Sequence, residues 1–333
     1  MMRLPFFLSM QSCPRRCIYC HQGEITGVFD IPSPEHVEAA AASATRPAEV
    51  CFFGGSFTCL PPNRQKAYLD GILKAPRGST VRLSTHPECL SPAVLALLAS
   101  YPVSMIELGI SSLDDHVLSM CNRGYSGAVA LSALESVLDA GFHGGAQMMI
   151  GLPGQSEESS FDDLRRLGAV RKGRPLTIRI YPCLVLKNTP LEELCRKGGY
   201  VPLDVDRAAL WSGRLLILAR ELGIPVQRVG LQESATLGRS IVAGPHHPAF
   251  GELARAAELA FSLAAVSSSG PWQVPRKAMS LLTGHRQYGL RLLACRTGLS
   301  PEETARRVVF AGNTETNGKF PDERGIDGTL SWE

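Results

Sequence analysis

The sequence lacks a long apolar run: its N-terminal stretch MMRLPFFLSM is too short for a spanning helix, is interrupted by Pro5, and shows no small-residue cleavage site. A membrane partner and an export signal are therefore not expected, and a cytoplasmic protein is. An excess of one charge is lacking as well. With 34 Lys and Arg against 31 Asp and Glu, the formal net charge of +3 does not demand a nucleic-acid or membrane partner. No internal repeat is present beyond an alternation of strand and helix patterns. Nor do the ten cysteines suggest a disulfide framework, because their spacing is irregular and no export signal precedes them. Reduced thiols or metal ligands are expected, with Cys51, Cys59, Cys89, Cys121, Cys183, Cys195 and Cys295 mostly in apolar surroundings as small hydrophobes.

At 333 residues, 44% of them hydrophobic, the chain is long enough for one large domain with a small appendage. Short apolar runs at residues 4–10, 49–53, 80–84, 105–110, 145–150, 177–181 and 225–229 are bounded by Gly, Pro or Ser and predict strands. Helical patterns lie between them. Ser33-Pro34 and Ser91-Pro92 each place a capping hydroxyl before a proline at the first helical position, and Gly141 and Gly223 follow long periodic stretches as helix stops. Such alternation predicts an α/β fold of parallel strands, either an open doubly wound sheet or a barrel. The alternation stops near residue 235. Beyond it the sequence predicts a helix over 247–266, one or two basic helical pieces over 272–296 broken near Gly284, a helix over 300–310 with Ser300 and Glu303 as a capping box, and a polar, frayed tail from 312.

Chemistry concentrates in Cys13-Pro-Arg-Arg-Cys17-Ile-Tyr-Cys20, directly after the first strand. A structural zinc site would need four ligands, and only His21 is adjacent. Covalent haem is a second reading, since Cys17 to His21 matches a haem attachment pattern, though it makes no use of Cys13 and belongs with export. A third reading uses all three thiols to bind three irons of a [4Fe–4S] cube, leaving one iron open for catalysis. A ferredoxin-type electron carrier would have a fourth cysteine.

The Cys-x-x-x-Cys-x-aromatic-Cys spacing, with Tyr19 as the aromatic, resembles the signature of the radical S-adenosylmethionine (SAM) superfamily. FFGGSFT at 52–58, LSTHPECL at 83–90, IELGISSLDDHVL at 106–118, QMMIGLPGQ at 147–155 and IRIYPCLVLKNTPLEEL at 178–194 are similar to the radical SAM domain of the Elongator catalytic subunit, in a short form without the acetyltransferase domain. The resemblance implies a partial parallel (β/α) barrel over residues 1–235, followed by a mainly helical extension over 236–311 and a flexible tail over 312–333. It implies Cys13, Cys17 and Cys20 as cluster ligands and SAM as co-substrate. Gly54, Gly55 and Ser56 would lie beside its amino group, Ser84 and Ser111 at its ribose and carboxylate, and Gly151, Leu152 and Pro153 along its adenine. Each of these motifs follows a predicted strand, where α/β sites assemble.

Arg179, Tyr181 and Lys187 stand at or beyond the sixth strand, and Tyr181 and Lys187 are the candidate catalytic side chains. A flavodoxin- or ferredoxin-type reductase would supply the electron. RNA is the leading substrate class, a small metabolite the alternative, and a non-enzymatic iron–sulfur or haem electron carrier the alternative of another class. One local feature favours RNA. Residues 271–298 carry Arg276, Lys277, Arg286, Arg291 and Arg296 with Trp272 and Tyr288 interleaved and no acidic residue.

Overall fold

In Val81-Arg82-Leu83-Ser84 and Ala146-Gln147-Met148 apolar and polar residues alternate, which in a strand sends them to opposite faces. The computed structural model, which describes residues 2–8 and 12–311, makes strands of both segments. The tail expected over 312–333 lies outside the described residues. The strands are β1 (Met2–Phe7), β2 (Ala48–Phe53), β3 (Thr80–Thr85), β4 (Val103–Ser111), β5 (His143–Ile150), β6 (Leu176–Pro182), β7 (Val185–Leu186), β8 (Val226–Val229), β9 (Ile241–Ala243), β10 (Trp272–Pro275) and β11 (Val308–Ala311). All seven predicted strands are present.

The main sheet has the order β1-β2-β3-β4-β5-β6-β8, and each pairing from β1 to β6 is parallel. The order decides between the two architectures left open by the alternation. A doubly wound sheet reverses direction at a switch point, whereas an order that follows the chain, with crossovers of one hand, puts every helix on the same face. The result is a half-barrel with its helices on the convex face.

Side-chain polarity follows that division. Phe52, Leu83, Ile106, Leu108, Met148 and Ile180 point to the covered face, each at 1% exposure or less. Such burial is worth roughly 1.5–3 kcal/mol per large side chain. The opposite positions on the same strands, Arg82, Glu107, Gln147 and Arg179, are polar. Helices begin and stop as the sequence predicts: Ser33 accepts from His36 N and Ser91 from Val94 N, each before a proline, while Gly141 and Gly223 take left-handed φ of 85° and 63°.

The chain divides into two compact units, Met1–Leu203 with Gly230–His246, and Asp204–Val229 with His247–Glu333. In the first unit, β7 and β9 form a small antiparallel ladder. Cys59 and Cys89, expected as thiols, are joined there by a disulfide. The turns Phe57–Cys59 and Pro87–Cys89 leave the same edge of neighbouring strands β2 and β3, which brings the two Cα atoms to 5.1 Å despite a sequence separation of 30.

The second unit is built mainly from helices Val205–Glu221, Phe250–Val266, Met279–Thr297 and Pro301–Arg307. The capping box at Ser300 and Glu303 is present, and the break expected near Gly284 runs through Gln287. Two expectations are corrected. Trp272–Pro275 is a strand, not helix, and it pairs in parallel with Val308–Ala311, which replaces the last turn of the helix expected to 310. Pro271 and Pro275 bracket too short a span for a helix, and a residue before proline disfavours helical backbone. Val308-Val309-Phe310 is a β-branched and aromatic run that suits a strand.

Candidate functional site

β1 ends at Phe7, and the loop beyond it carries Cys13, Cys17 and Cys20, half-buried and free of disulfides. Each sulfur has its own polar neighbour. Cys13 Sγ lies 3.4 Å from Ser56 Oγ, Cys17 Sγ accepts from Arg123 Nη1 at 2.8 Å, and Cys20 Sγ accepts from Gln22 Nε2 at 3.5 Å. Burial raises the Cys13 pKa, and it pushes Cys20 up to about 12 with the sulfurs of Cys17 and Cys13 adding to it. The thiols of Cys13 and Cys20 thus keep their protons until a metal takes their place. His21, the adjacent ligand that zinc or haem would call on, uses its Nδ1 to cap helix Gln22–Thr26, accepting from Glu24 N at 3.3 Å. Three free sulfurs on one loop, with a guanidinium against one of them, are donors of the kind that iron–sulfur clusters take.

Arg123 is 7% exposed and belongs to a network built around a defect in β4. The pairing of β4 with β5 slips between Leu108 and Ser111, which removes carbonyls from the ladder. Tyr125 OH lies within reach of both, 2.8 Å from Gly109 O and 2.7 Å from Ile110 O, and can donate to one, while Arg123 Nη2 donates to Gly109 O. Burial disfavours the Arg123 cation, but Tyr19, Tyr125 and Cys17 around it outweigh that effect and raise its pKa. The same bulge leaves Ser111 at φ 64°, unusual for a residue with a side chain, and its Oγ lies 2.7 Å from Tyr19 OH. The cysteine loop is thereby tied to the end of β4 at two points.

The other candidate cofactor residues line the same edge. Gly54, at φ 78°, and Gly55 follow β2, and Ser56 beyond them is buried, its carbonyl accepting from Ser12 Oγ at 2.8 Å. Ser84, near the end of β3, accepts from Gln147 Nε2 at 3.2 Å. Gly151 follows β5 at φ 74°, and its carbonyl accepts from Tyr200 OH at 2.6 Å. Leu152 N is held by Gln155 Oε1 at 3.1 Å, and Leu152 and Pro153 are buried. Because β1 to β6 are parallel, all these turns meet at the carboxyl edge of one sheet.

The concave face holds a charged cluster that the sequence reading passed over apart from Arg179. Arg82 forms a fork on Glu107, Nε to Oε2 at 2.9 Å and Nη2 to Oε1 at 2.8 Å. Arg179 Nε comes within 2.9 Å of the same Oε1 from two strands away. The intervening strand permits this because it carries Gly145, where an added Cβ would stand 2.5 Å from Glu107 Cγ. Phe53 lies under both guanidiniums, with centroid distances of 5.8 Å to Arg82 and 5.4 Å to Arg179. Tyr181, a candidate catalytic residue, is half-buried and accepts from Arg179 Nη1 at 3.1 Å. Lys187, the other, is exposed and donates to Arg239 O at 2.7 Å, on the strap around β7 and β9. The structure gives Tyr181 and Lys187 different neighbours. Arg82, Glu107 and Gln147 were detectable as lone polar residues inside apolar alternations, while Arg123 gave no sequence signal because its role depends on the bulge.

A family description, the Radical SAM superfamily, matches residues 7–167, and a second, the Radical_SAM C-terminal domain, matches residues 175–259. An uncharacterised protein of Methanocaldococcus jannaschii is 28% identical over 162 residues, 47% of this chain and 49% of its own length. The tRNA uridine(34) acetyltransferase of Methanocaldococcus infernus is 27% identical over 126 residues, 38% of this chain and 24% of the relative. Human Elongator complex protein 3 is 24% identical over 190 residues, covering 51% and 35%. The matches thus span half or less of these relatives. Among solved structures, the archaeal Elp3 of Methanocaldococcus infernus with an N-terminal deletion superposes with a TM-score of 0.57 at 20% identity, covering 76% of this chain and 61% of that one. Methylornithine synthase gives 0.51 at 14% identity, covering 73% and 77%. At those identities the superpositions speak for the fold.

Proposed function

Because the chain belongs to the radical SAM superfamily, an enzyme superfamily whose members use SAM and a [4Fe–4S] cluster, we propose that Cys13, Cys17 and Cys20 hold that cluster and that the carboxyl edge of the half-barrel binds SAM. The observation that carries the reading is the trio of free sulfurs at that edge, with the Arg123 guanidinium on Cys17. Such a cluster, held by Cys13, Cys17 and Cys20, would supply the single electron for reductive cleavage of SAM and so the radical chemistry toward a substrate. The residues of the chain bind and orient. Gly54 and Gly55 allow close backbone approach to an amino group, and Ser84 and Ser111 offer hydroxyls, Ser84 oriented by Gln147 and Ser111 by Tyr19. Gly151, Leu152 and Pro153 offer a fixed turn for a flat base. A flavodoxin- or ferredoxin-type donor would deliver the electron.

For substrate class, the names of the relatives support RNA: two of them are tRNA uridine(34) acetyltransferases. We therefore take a radical modification of RNA as the leading reading. The test is anaerobic reconstitution with SAM and reductant, with and without cellular RNA, followed by mass spectrometry for 5′-deoxyadenosine. Anaerobic protein is expected to hold about four irons per chain. Changing Cys13, Cys17 and Cys20 to alanine removes them, while stoichiometric zinc or covalent haem in the parent would sink the assignment. Gly55→Asp places a carboxylate where the amino-acid end of SAM is expected, so it retains iron but forms no 5′-deoxyadenosine. Normal formation in that variant means that SAM sits elsewhere.

A further inference from the structure

The concave face of β1 to β6 is not electrically balanced. Its charged side chains are Arg3 paired with Glu49 at the outer strands, and the inner group of Arg82, Glu107 and Arg179. Three guanidiniums thus face two carboxylates, and His143 on the same face of β5, an imidazole, carries no negative charge to offset them. Within the inner group the two arginines differ. Arg82 is 5% exposed, and its fork takes both oxygens of Glu107, the arrangement of a closed structural pair. Arg179 is 17% exposed and only shares Oε1, its Nε lying off the line of a hydrogen bond. One carboxylate cannot neutralise two guanidiniums, and the uncompensated charge rests on the more accessible one.

A second observation points the same way. Thr177 Oγ1, one inward position before Arg179 on β6, and His143 Nε2 on the neighbouring strand are buried polar atoms without hydrogen-bond partners among the described residues. Buried polar groups are ordinarily paired, so a face that leaves these and a guanidinium incompletely matched is shaped for something else to complete it. Tyr181 OH, one inward position after Arg179, accepts from Nη1 and fixes the plane of the fork while its own hydrogen stays available to an acceptor.

We propose that the concave face binds an anionic oxygen group of the substrate, a phosphate or a carboxylate, on Arg179, with Tyr181 orienting the fork and Thr177 as a further donor. The inference deepens the proposed function and rests on its assignment of this face as the substrate chamber. Planar guanidinium and planar or tetrahedral oxyanion match in a two-point contact that neither a neutral base nor an apolar ring would make. Both a nucleotide phosphate and the carboxylate of a small acid satisfy this chemistry, and the experiment separates them.

Anaerobic, cluster-loaded protein is titrated calorimetrically with orthophosphate and, separately, with succinate. One saturable site per chain is expected for at least one of them. Phosphate alone assigns a phosphate ester and succinate alone a carboxylic acid. Arg179→Met weakens that site by roughly tenfold or more, the scale of a lost charge-assisted pair. The exposed surface change Arg165→Gln leaves it intact. Should Arg179→Met not fold, Arg179→Lys decides, since it keeps the charge and loses the fork: affinity lowered severalfold supports the site, and parental affinity overturns it. No saturable heat with either anion, or undiminished binding in Arg179→Met, also overturns it. Formation of 5′-deoxyadenosine by the parent is measured separately, so failure of the radical reading and failure of the anion site register in different assays.

Discussion

His86 sits one residue past β3 at 5% exposure, with the Tyr125 ring edge-on at 4.9 Å. Its Nδ1 accepts from Glu88 N at 3.4 Å, and the Glu88 carboxylate is 3.7 Å away. Burial first, and then the charges of Arg123 and Arg15, hold its pKa down to about 4. The unfolded chain, with histidine near 6.5, therefore takes up a proton on acidification before the folded chain does. The contribution of His86 to stability is complete above pH 6.5 and is lost as pH falls toward 4, and it is at most on the order of 3 kcal/mol. Urea midpoints at pH 7 and pH 5 check this. The parent is expected to lose more stability between them than His86→Gln, whose amide can still accept from Glu88 N without titrating; equal losses would show that His86 is not the group responsible. Like Arg123, His86 occupies a place in the network that the sequence does not announce, because a bulge and a turn, not a motif, bring them together.

At the scale of elements, β5 is the part of the sheet most sensitive to a single methyl group. Gly145→Ala puts a Cβ at 2.5 Å from Glu107 Cγ and 3.1 Å from Glu107 Cα, so backbone as well as side chain must yield. We expect a loss of about 1–3 kcal/mol from overpacking, read as a lower urea midpoint. Gly173→Ala is the comparison: it has open space at its Cβ and meets only the backbone strain of its φ of 78°. If Gly145→Ala is no more destabilised than Gly173→Ala, Glu107 does not depend on the missing side chain. Strands and helix caps of the half-barrel were legible in advance because period two, Ser-Pro starts and glycine stops are local signals. Trp272–Pro275 was not, since a four-residue strand is defined by its partner, and Val308–Ala311 lies over thirty positions later. The Cys59–Cys89 bond was missed for the same reason, being a product of strand adjacency. The three-cysteine loop was legible as a donor set from spacing alone, whereas the Arg82, Glu107 and Arg179 group required knowing which strands are neighbours.

Across the whole molecule, the near balance of charge conceals local excess, and this bears on whether the substrate is RNA. Arg276, Lys277, Arg286, Arg291 and Arg296 are all exposed in the second unit. Phe261 lies between two cations there, with Arg296 at 5.3 Å and Arg214 at 5.7 Å from its ring centroid. Trp272 is not part of a binding surface: it is 2% exposed, and its indole N–H donates to Leu263 O at 3.0 Å and to Ser267 O at 3.1 Å. Any affinity of this region for RNA therefore comes from phosphate contacts, without an indole to stack on a base. That makes salt the decisive variable. Transfer RNA binding by the parent is expected to fall steeply between low and moderate salt. Changing Arg286, Arg291 and Arg296 together to glutamine should lower the slope of log affinity against log salt by about 2–3, since each phosphate contact contributes roughly 0.7–0.9. An unchanged slope in the triple variant, or no binding by the parent at moderate salt, removes the local support for RNA. A small anionic metabolite on the concave face then becomes the leading substrate class, because the Arg179 site does not depend on this surface.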